Sequence, residues 1–199
     1  MVNRDRYWAY FDEAWKRVIE RFFPQLLHLF VPNLYFDVDF KRGFSFLDRE
    51  MEQLSIISLK GAKYVDKLAK VYLKNGAEQW ILVHIEVQGY PDKEFSLRMF
   101  RYFYRIFDRH GKRVVSLAIL TGSEKGTDEG VFEFKAYGSG VEFRYLFFRL
   151  MDYDRDRLEE DTNPIAMVVL ASQERERARQ KGARFNAKRY LIRRLYERG

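Results

Sequence analysis

Two strand-like runs, residues 62–73 and 79–88, are separated by a short turn around Lys74-Asn75-Gly76, and no other feature limits the fold of this chain as tightly. Segments of this length, rich in β-branched and aromatic residues and divided by an Asn-Gly turn, predict a β-hairpin. Its register fixes the chemistry, because a slip of one residue exchanges the two faces of a strand. A tight Asn75-Gly76 turn would put Asp66 on the face of Ile85. A longer Lys74-Asn75-Gly76 loop, with Gly76 in the left-handed conformation, would put it on the face of His84 and Glu86. The apolar pattern selects the longer loop. One face then carries Val65, Ala69, Val71, Leu73, Ile81, Val83, Ile85 and Val87, interrupted only by Lys67, while Asp66, Leu68, Lys70, Tyr72, Leu82, His84, Glu86 and Gln88 share the other.

The flanking segments give this hairpin its setting. Tyr7, Phe11, Ala14, Trp15, Val18 and Phe22 have helical spacing within residues 7–30, where Pro24 marks a kink or an end. A second helix is expected over residues 45–57, with Leu47, Met51 and Leu54 on one side. After Pro91 and Asp92 a long helix is expected over residues 93–109, closed by Gly111. Residues 114–121 are almost wholly apolar and predict a buried central strand. A helix between two strands implies a crossover. Residues 131–137 and 141–148 alternate as strands, and residues 164–199 predict two helices hinged near Gly182. The expected fold is α/β: a mixed β-sheet flanked by helices over residues 1–162, followed by a C-terminal helical tail over residues 163–199, with the boundary near Asp161-Thr162-Asn163-Pro164.

Composition narrows the function classes. With 199 residues and 47% apolar content there is material for one core. The absence of cysteine excludes disulfides, thiol nucleophiles and thiolate metal sites. The first residues lack the apolar run of a secretory signal, and residues 22–32 are broken by Pro24, Gln25 and His28, so a cytoplasmic protein without a membrane segment is expected. The net charge of +7 sits at one end: residues 171–199 hold ten basic against three acidic side chains, which leaves 26 of each sign upstream. Arg184, Lys188, Arg189, Arg193 and Arg194 are the candidate contacts to nucleic-acid phosphates. A solvated helix face is the alternative, as is docking of Tyr190, Leu191, Leu195 and Tyr196 on the body or on a second copy to form a homodimer.

Asp66 and Glu86 are charged groups inside otherwise apolar strands, opposite or diagonal to one another. Cross-strand neighbours have Cβ atoms about 4.5–5.5 Å apart and diagonal ones about 7–8 Å, so both carboxylates can reach one cation. Oxygen-only ligation suits Mg²⁺ or Mn²⁺. The alternative is a pair of solvated strand ends. His84, alone in an apolar strand, is expected to be a hydrogen-bonded core residue rather than a ligand.

The order of Phe46-Leu47-Asp48-Arg49-Glu50, Val65-Asp66-Lys67-Leu68-Ala69-Lys70-Val71, Ile81-Leu82-Val83-His84-Ile85-Glu86-Val87-Gln88 and Phe95-Ser96-Leu97-Arg98-Met99-Phe100-Arg101-Tyr102 resembles the PD-(D/E)xK nuclease superfamily. Within it, residues 7–122 most resemble the Rpn-type recombination-promoting nucleases, also labelled transposases. The resemblance implies a restriction-endonuclease-like core and a metal-dependent DNA endonuclease of low sequence specificity, promoting recombination or acting on mobile DNA. Asp66 and Glu86 would then bind the metal, with Glu50 a third acid or else a solvated helix residue. Gln88 stands where most of the superfamily has lysine; it can hold water or metal but supplies no positive charge. Lys70 and Arg98 are the candidates for the missing cation. Arg98 and Tyr102, four residues apart on one helix, would both face the phosphate; a solvated lysine and a surface arginine are the plain alternatives. RNA in place of DNA is not distinguished by sequence. The competing function is a nuclease fold without turnover that binds nucleic acid or protein.

Overall fold

In the computed structural model, residues 4–47, 65–74, 80–88, 92–123, 130–182, 186, 189–190 and 193 are described. Helix α1 (Arg4–Phe30) buries Trp15, Ile19, Phe23, Leu26, Leu27 and Phe30 along one side. It is kinked rather than ended: Phe22 has φ −124° and ψ 30°, two residues before Pro24. Proline donates no hydrogen bond, and its ring crowds the carbonyl four residues back. A short helix α2 (Pro32–Asp37) and a single 3₁₀ turn lead to strand β1 (Phe44–Phe46).

This strand corrects the helix expected to begin at residue 45. Phe44, Ser45 and Phe46 pair antiparallel with Val71, Lys70 and Ala69, and the rings of Phe44 and Phe46 pack on Phe23 at 4.8 and 5.6 Å. Two aromatic residues flanking an exposed Ser45 form a period-two pattern too short to detect beside the apolar run that follows. The rest of that expected helix, residues 48–57, lies outside the described residues.

Strands β2 (Val65–Tyr72) and β3 (Trp80–Gln88) form the expected antiparallel hairpin. Its register runs from Val65 opposite Val87 to Tyr72 opposite Trp80. A loop over residues 74–76 would have set Asp66 against His84; the observed pairing is shifted by two residues, and Asp66 faces Glu86. A two-residue shift preserves every face, so the apolar pattern that selects the face cannot detect it.

Helix α3 (Phe95–His110) crosses over from β3 to β4 (Val114–Leu120), which pairs parallel with β3. Gly111 closes the helix in the left-handed conformation, φ 58°, with its N–H donating to the Phe107 carbonyl. Strands β5 (Val131–Ala136) and β6 (Ser139–Arg144) form a separate two-stranded hairpin. The second of the expected late strands is split, because β7 (Leu146–Arg149) leaves that hairpin and joins β4 in parallel. The main sheet has the order β1-β2-β3-β4-β7, antiparallel across its first three strands and parallel across its last three. This mixed five-stranded sheet flanked by helices is an α/β, restriction-endonuclease-like fold.

Helices α4 (Arg155–Glu160) and α5 (Pro164–Gln180) follow, and Tyr190 beyond them packs against the core. Ile165, Ala166, Val169 and Leu170 of α5 share a core with α1 and with Ala69, Val71, Val83, Ile85, Leu117 and Ile119 of the sheet. Asn163 caps α5 through its side-chain oxygen and donates from its amide to the Gln25 carbonyl, joining α5 to α1. The first part of the expected tail is thus a layer of the core. Lys67, the one charge on this face, is explained by Glu20 of α1: the ammonium is buried, 2.5 Å from the Glu20 carboxylate and 5.3 Å from the Phe46 ring centre. No helix among the described residues is long and apolar enough to cross a membrane.

Candidate active site

The second face of the sheet carries the candidate chemistry. Asp66 on β2 pairs with Glu86 on β3, and Glu86 pairs in turn with Ala118 on β4. Directly paired positions share a pleat, so Asp66 and Glu86 lie on one face of the sheet. Gln88 ends β3 beside Leu120, one pleat further on the same face.

Helix α3 covers this face in step with the strands. Tyr102 and Ile106 pack on Leu68, and the Tyr102 ring lies 5.2 Å from that of His84. One turn earlier, Phe95 and Met99 pack on Ala118, the neighbour of Glu86. A helical turn advances about 5.4 Å and two strand residues about 6.6 Å, so Arg98, beside Met99, stands at the level of the acidic pair. Its side chain is 2% exposed, which excludes the surface arginine considered from sequence. Asp92 holds it: one carboxylate oxygen pairs with the Arg98 guanidinium while the other accepts from the Glu94 N–H at 2.9 Å. The Arg98 guanidinium also lies 5.1 Å from the Phe95 ring centre.

Tyr102 is 3% exposed and packs as a core ring. His84 is fully buried, as expected, but it is not hydrogen-bonded; neither ring nitrogen meets a partner among the described residues. Burial, and then the positive charge of Arg98, lower its pKa to about 3, so the imidazole is neutral. Ser116 lies beside it on β4, buried, its hydroxyl likewise without a partner among the described residues.

The remaining candidates fall elsewhere. Lys70 is four residues from Asp66, about 13 Å along the strand, and its ammonium lies 5.1 Å from the centre of the Tyr72 ring. Glu50, Arg184, Lys188 and Arg194 lie outside the described residues. Arg189 and Arg193 are exposed, and the Arg189 N–H donates to the Asn186 side chain at 2.9 Å. Within α5 the basic residues are partly matched by acids: Arg177 donates to Glu174 at 2.8 Å and Arg179 to Glu176 at 2.7 Å. Glu174 also pairs with Arg155, and Glu176 accepts from the Ser123 N–H and hydroxyl. No cluster of three or more potential metal-ligating side chains occurs among the described residues.

Asp92 and Ser116 were not singled out by sequence reasoning. Asp92 had a visible signal, an aspartate at the start of a helix, but that pattern announces a cap and is silent about a guanidinium six residues on. Ser116 had none, since a serine in an apolar strand satisfies no motif.

Residues 45–119 match the family described as "Putative transposase, YhgA-like", which bears out the resemblance read from the sequence. The matched segment begins in β1 and ends in β4, so it contains the hairpin, α3 and the central strand. No curated protein and no solved structure matches the chain.

Proposed function

We propose that this protein is a metal-dependent nuclease that hydrolyses DNA phosphodiester bonds with little sequence preference. The observation that carries the reading is the direct pairing of Asp66 with Glu86 at the level of a buried Arg98. Two adjacent carboxylates repel unless a cation or a proton relieves them. Their oxygen-only donors fit Mg²⁺ or Mn²⁺, and a bound ion of that kind would polarise the scissile phosphate and lower the pKa of its water.

The chain's own residues divide the remaining work. Asp66 and Glu86, paired on neighbouring strands, would hold the ion. Gln88, at the strand end, accepts from or donates to the attacking water, and leaves the site short of one positive charge. Arg98 supplies that charge in place of Lys70, whose ammonium points to Tyr72. A guanidinium offers five donors in a planar fork suited to phosphate oxygens. Asp92 keeps it oriented before substrate arrives. His84, neutral and enclosed, takes no part in proton transfer.

Plasmid nicking across several divalent metals tests this. Asp66→Ala and Glu86→Ala should abolish cleavage while DNA binding in Ca²⁺ or EDTA persists; undiminished cleavage by both variants refutes the site. The glutamine at position 88 favours one rival, a nuclease fold without turnover. That rival predicts a DNA shift with the plasmid left intact in every metal.

A further inference from the structure

We propose that the outer side of α3 and the β5–β6 hairpin together form a track for single-stranded nucleic acid, resting on the nuclease reading above and extending it to the strand that flanks the cleaved bond. The rings of this region run from core to surface. Phe132 of β5 stacks on Phe100 of α3, centroids 4.9 Å apart at 16°, and Phe100 stacks on Tyr104 at 6.5 Å and 29°. The hairpin follows the helix, since Tyr145, just past β6, contacts Phe95 while Phe143 contacts Phe103 eight residues along. Phe134, one pleat beyond Phe132, therefore stands near the level of Tyr104 and Phe107. These rings are not sealed: Tyr104 is 55% exposed, Phe107 50% and Phe134 55%.

The tip of the hairpin adds a fourth ring. Ala136 pairs with Ser139, so the turn is Tyr137-Gly138, with φ of 51° and 85°. Such turns favour Asn or Gly at both places, because a side chain in the left-handed conformation is sterically disfavoured. Tyr137 occupies the first of them and is fully exposed. An aromatic residue is thus held in open solvent at a position where a small polar residue would fit the backbone better.

The charge beside these rings selects the partner. Arg101, Arg105 and Arg109 are exposed on α3, followed by Lys112 and Arg113, against Asp108, while on the hairpin Glu133 and Glu142 are paired with Lys135 and Arg144. Exposed rings interleaved with basic groups suit a polyanion whose bases are free to stack, and in a duplex the base faces are already covered. A two-fold contact with a second copy would instead bring this arginine-rich patch against itself.

Fluorescence anisotropy of the full chain in EDTA, with a labelled oligothymidylate and a duplex of matched length, tests the proposal. The Tyr104→Ala/Phe134→Ala double variant should weaken oligothymidylate binding by about tenfold or more, the loss expected from removing base stacking. Its duplex binding and thermal melting should stay near wild type. Tyr137→Asn keeps the preference of the turn and removes only the ring, so it should also weaken oligothymidylate binding without loss of fold. Unchanged oligothymidylate affinity in both proteins overturns the track, and so does a variant whose only change is in oligomeric state by light scattering. Asp66→Ala should bind oligothymidylate as wild type does. If wild type fails to nick plasmid while the ring variants still lose affinity, the nuclease reading fails and the track stands; nicking with ring-independent binding gives the reverse.

Discussion

Acid should destabilise this protein through His84, alongside the carboxylates of Glu174 and Glu176, where burial is outweighed by the arginine partners that hold them below the usual range. The histidine is fully buried against Tyr102, its pKa lowered to about 3 by burial and by the Arg98 charge, whereas an unfolded histidine titrates near 6.5. Between those values the unfolded chain binds a proton that the folded chain refuses, so stability falls as pH drops below about 6.5. The slope approaches about 1.4 kcal/mol per pH unit once the unfolded histidine is mostly protonated, which amounts to roughly 2 kcal/mol between pH 6.5 and 4.5. Urea unfolding of wild type and His84→Asn at intervals over that range isolates the term, because all other titrating groups are common to both proteins. The difference in unfolding free energy between them should change by about 2–3 kcal/mol across the interval, with wild type losing ground in acid. Parallel pH profiles would refute the reasoning, as would a His84 ring resonance that titrates above pH 5.

Two further substitutions probe the frame around the site. Glu20→Ala removes the Glu20 carboxylate from the buried Lys67 ammonium and should cost about 1.5–3 kcal/mol in urea unfolding, while the double variant Glu20→Ala/Lys67→Met recovers most of the loss. Gly140→Ala would put a Cβ 2.5 Å from the Phe134 carbonyl oxygen, so the hairpin must shift; a loss of about 1–3 kcal/mol in urea unfolding is expected, and a near-neutral result would refute it.

The faces of the β2–β3 hairpin could be read from its alternation, since a buried apolar side tolerates only one parity. Its pairing could not, because a two-residue shift leaves the parity intact, and the difference between Asp66 opposite His84 and Asp66 opposite Glu86 is the difference between diagonal and direct acids. Helix α3 and strand β4 were legible from length, periodicity and the terminal Gly111. Strand β1 was not: three residues carry too little pattern, and their conformation is set by contacts with Phe23 and β2, far away in sequence. The burial of Arg98 was hidden for the same reason. An arginine is assigned to solvent by default, and only the fold brings Asp92 around to meet it. Lys70 shows the reverse case, a residue on the right face whose distance along the strand separates it from the acids.

Helix α5 serves two ends at once, and this sets where the protein can be shortened. Ser172, Gln173 and Glu176 are buried, Gln173 donates to the Leu150 and Tyr153 carbonyls at 2.8 and 2.9 Å, and Glu176 anchors Ser123 just past β4. A deletion that removes every basic residue after position 170 would therefore also strip the clasp from the loop that follows β4. Loss of DNA binding in such a fragment would report a broken fold rather than a missing arm; a cut after Gln180 spares these contacts, though it removes Tyr190, which packs against the core.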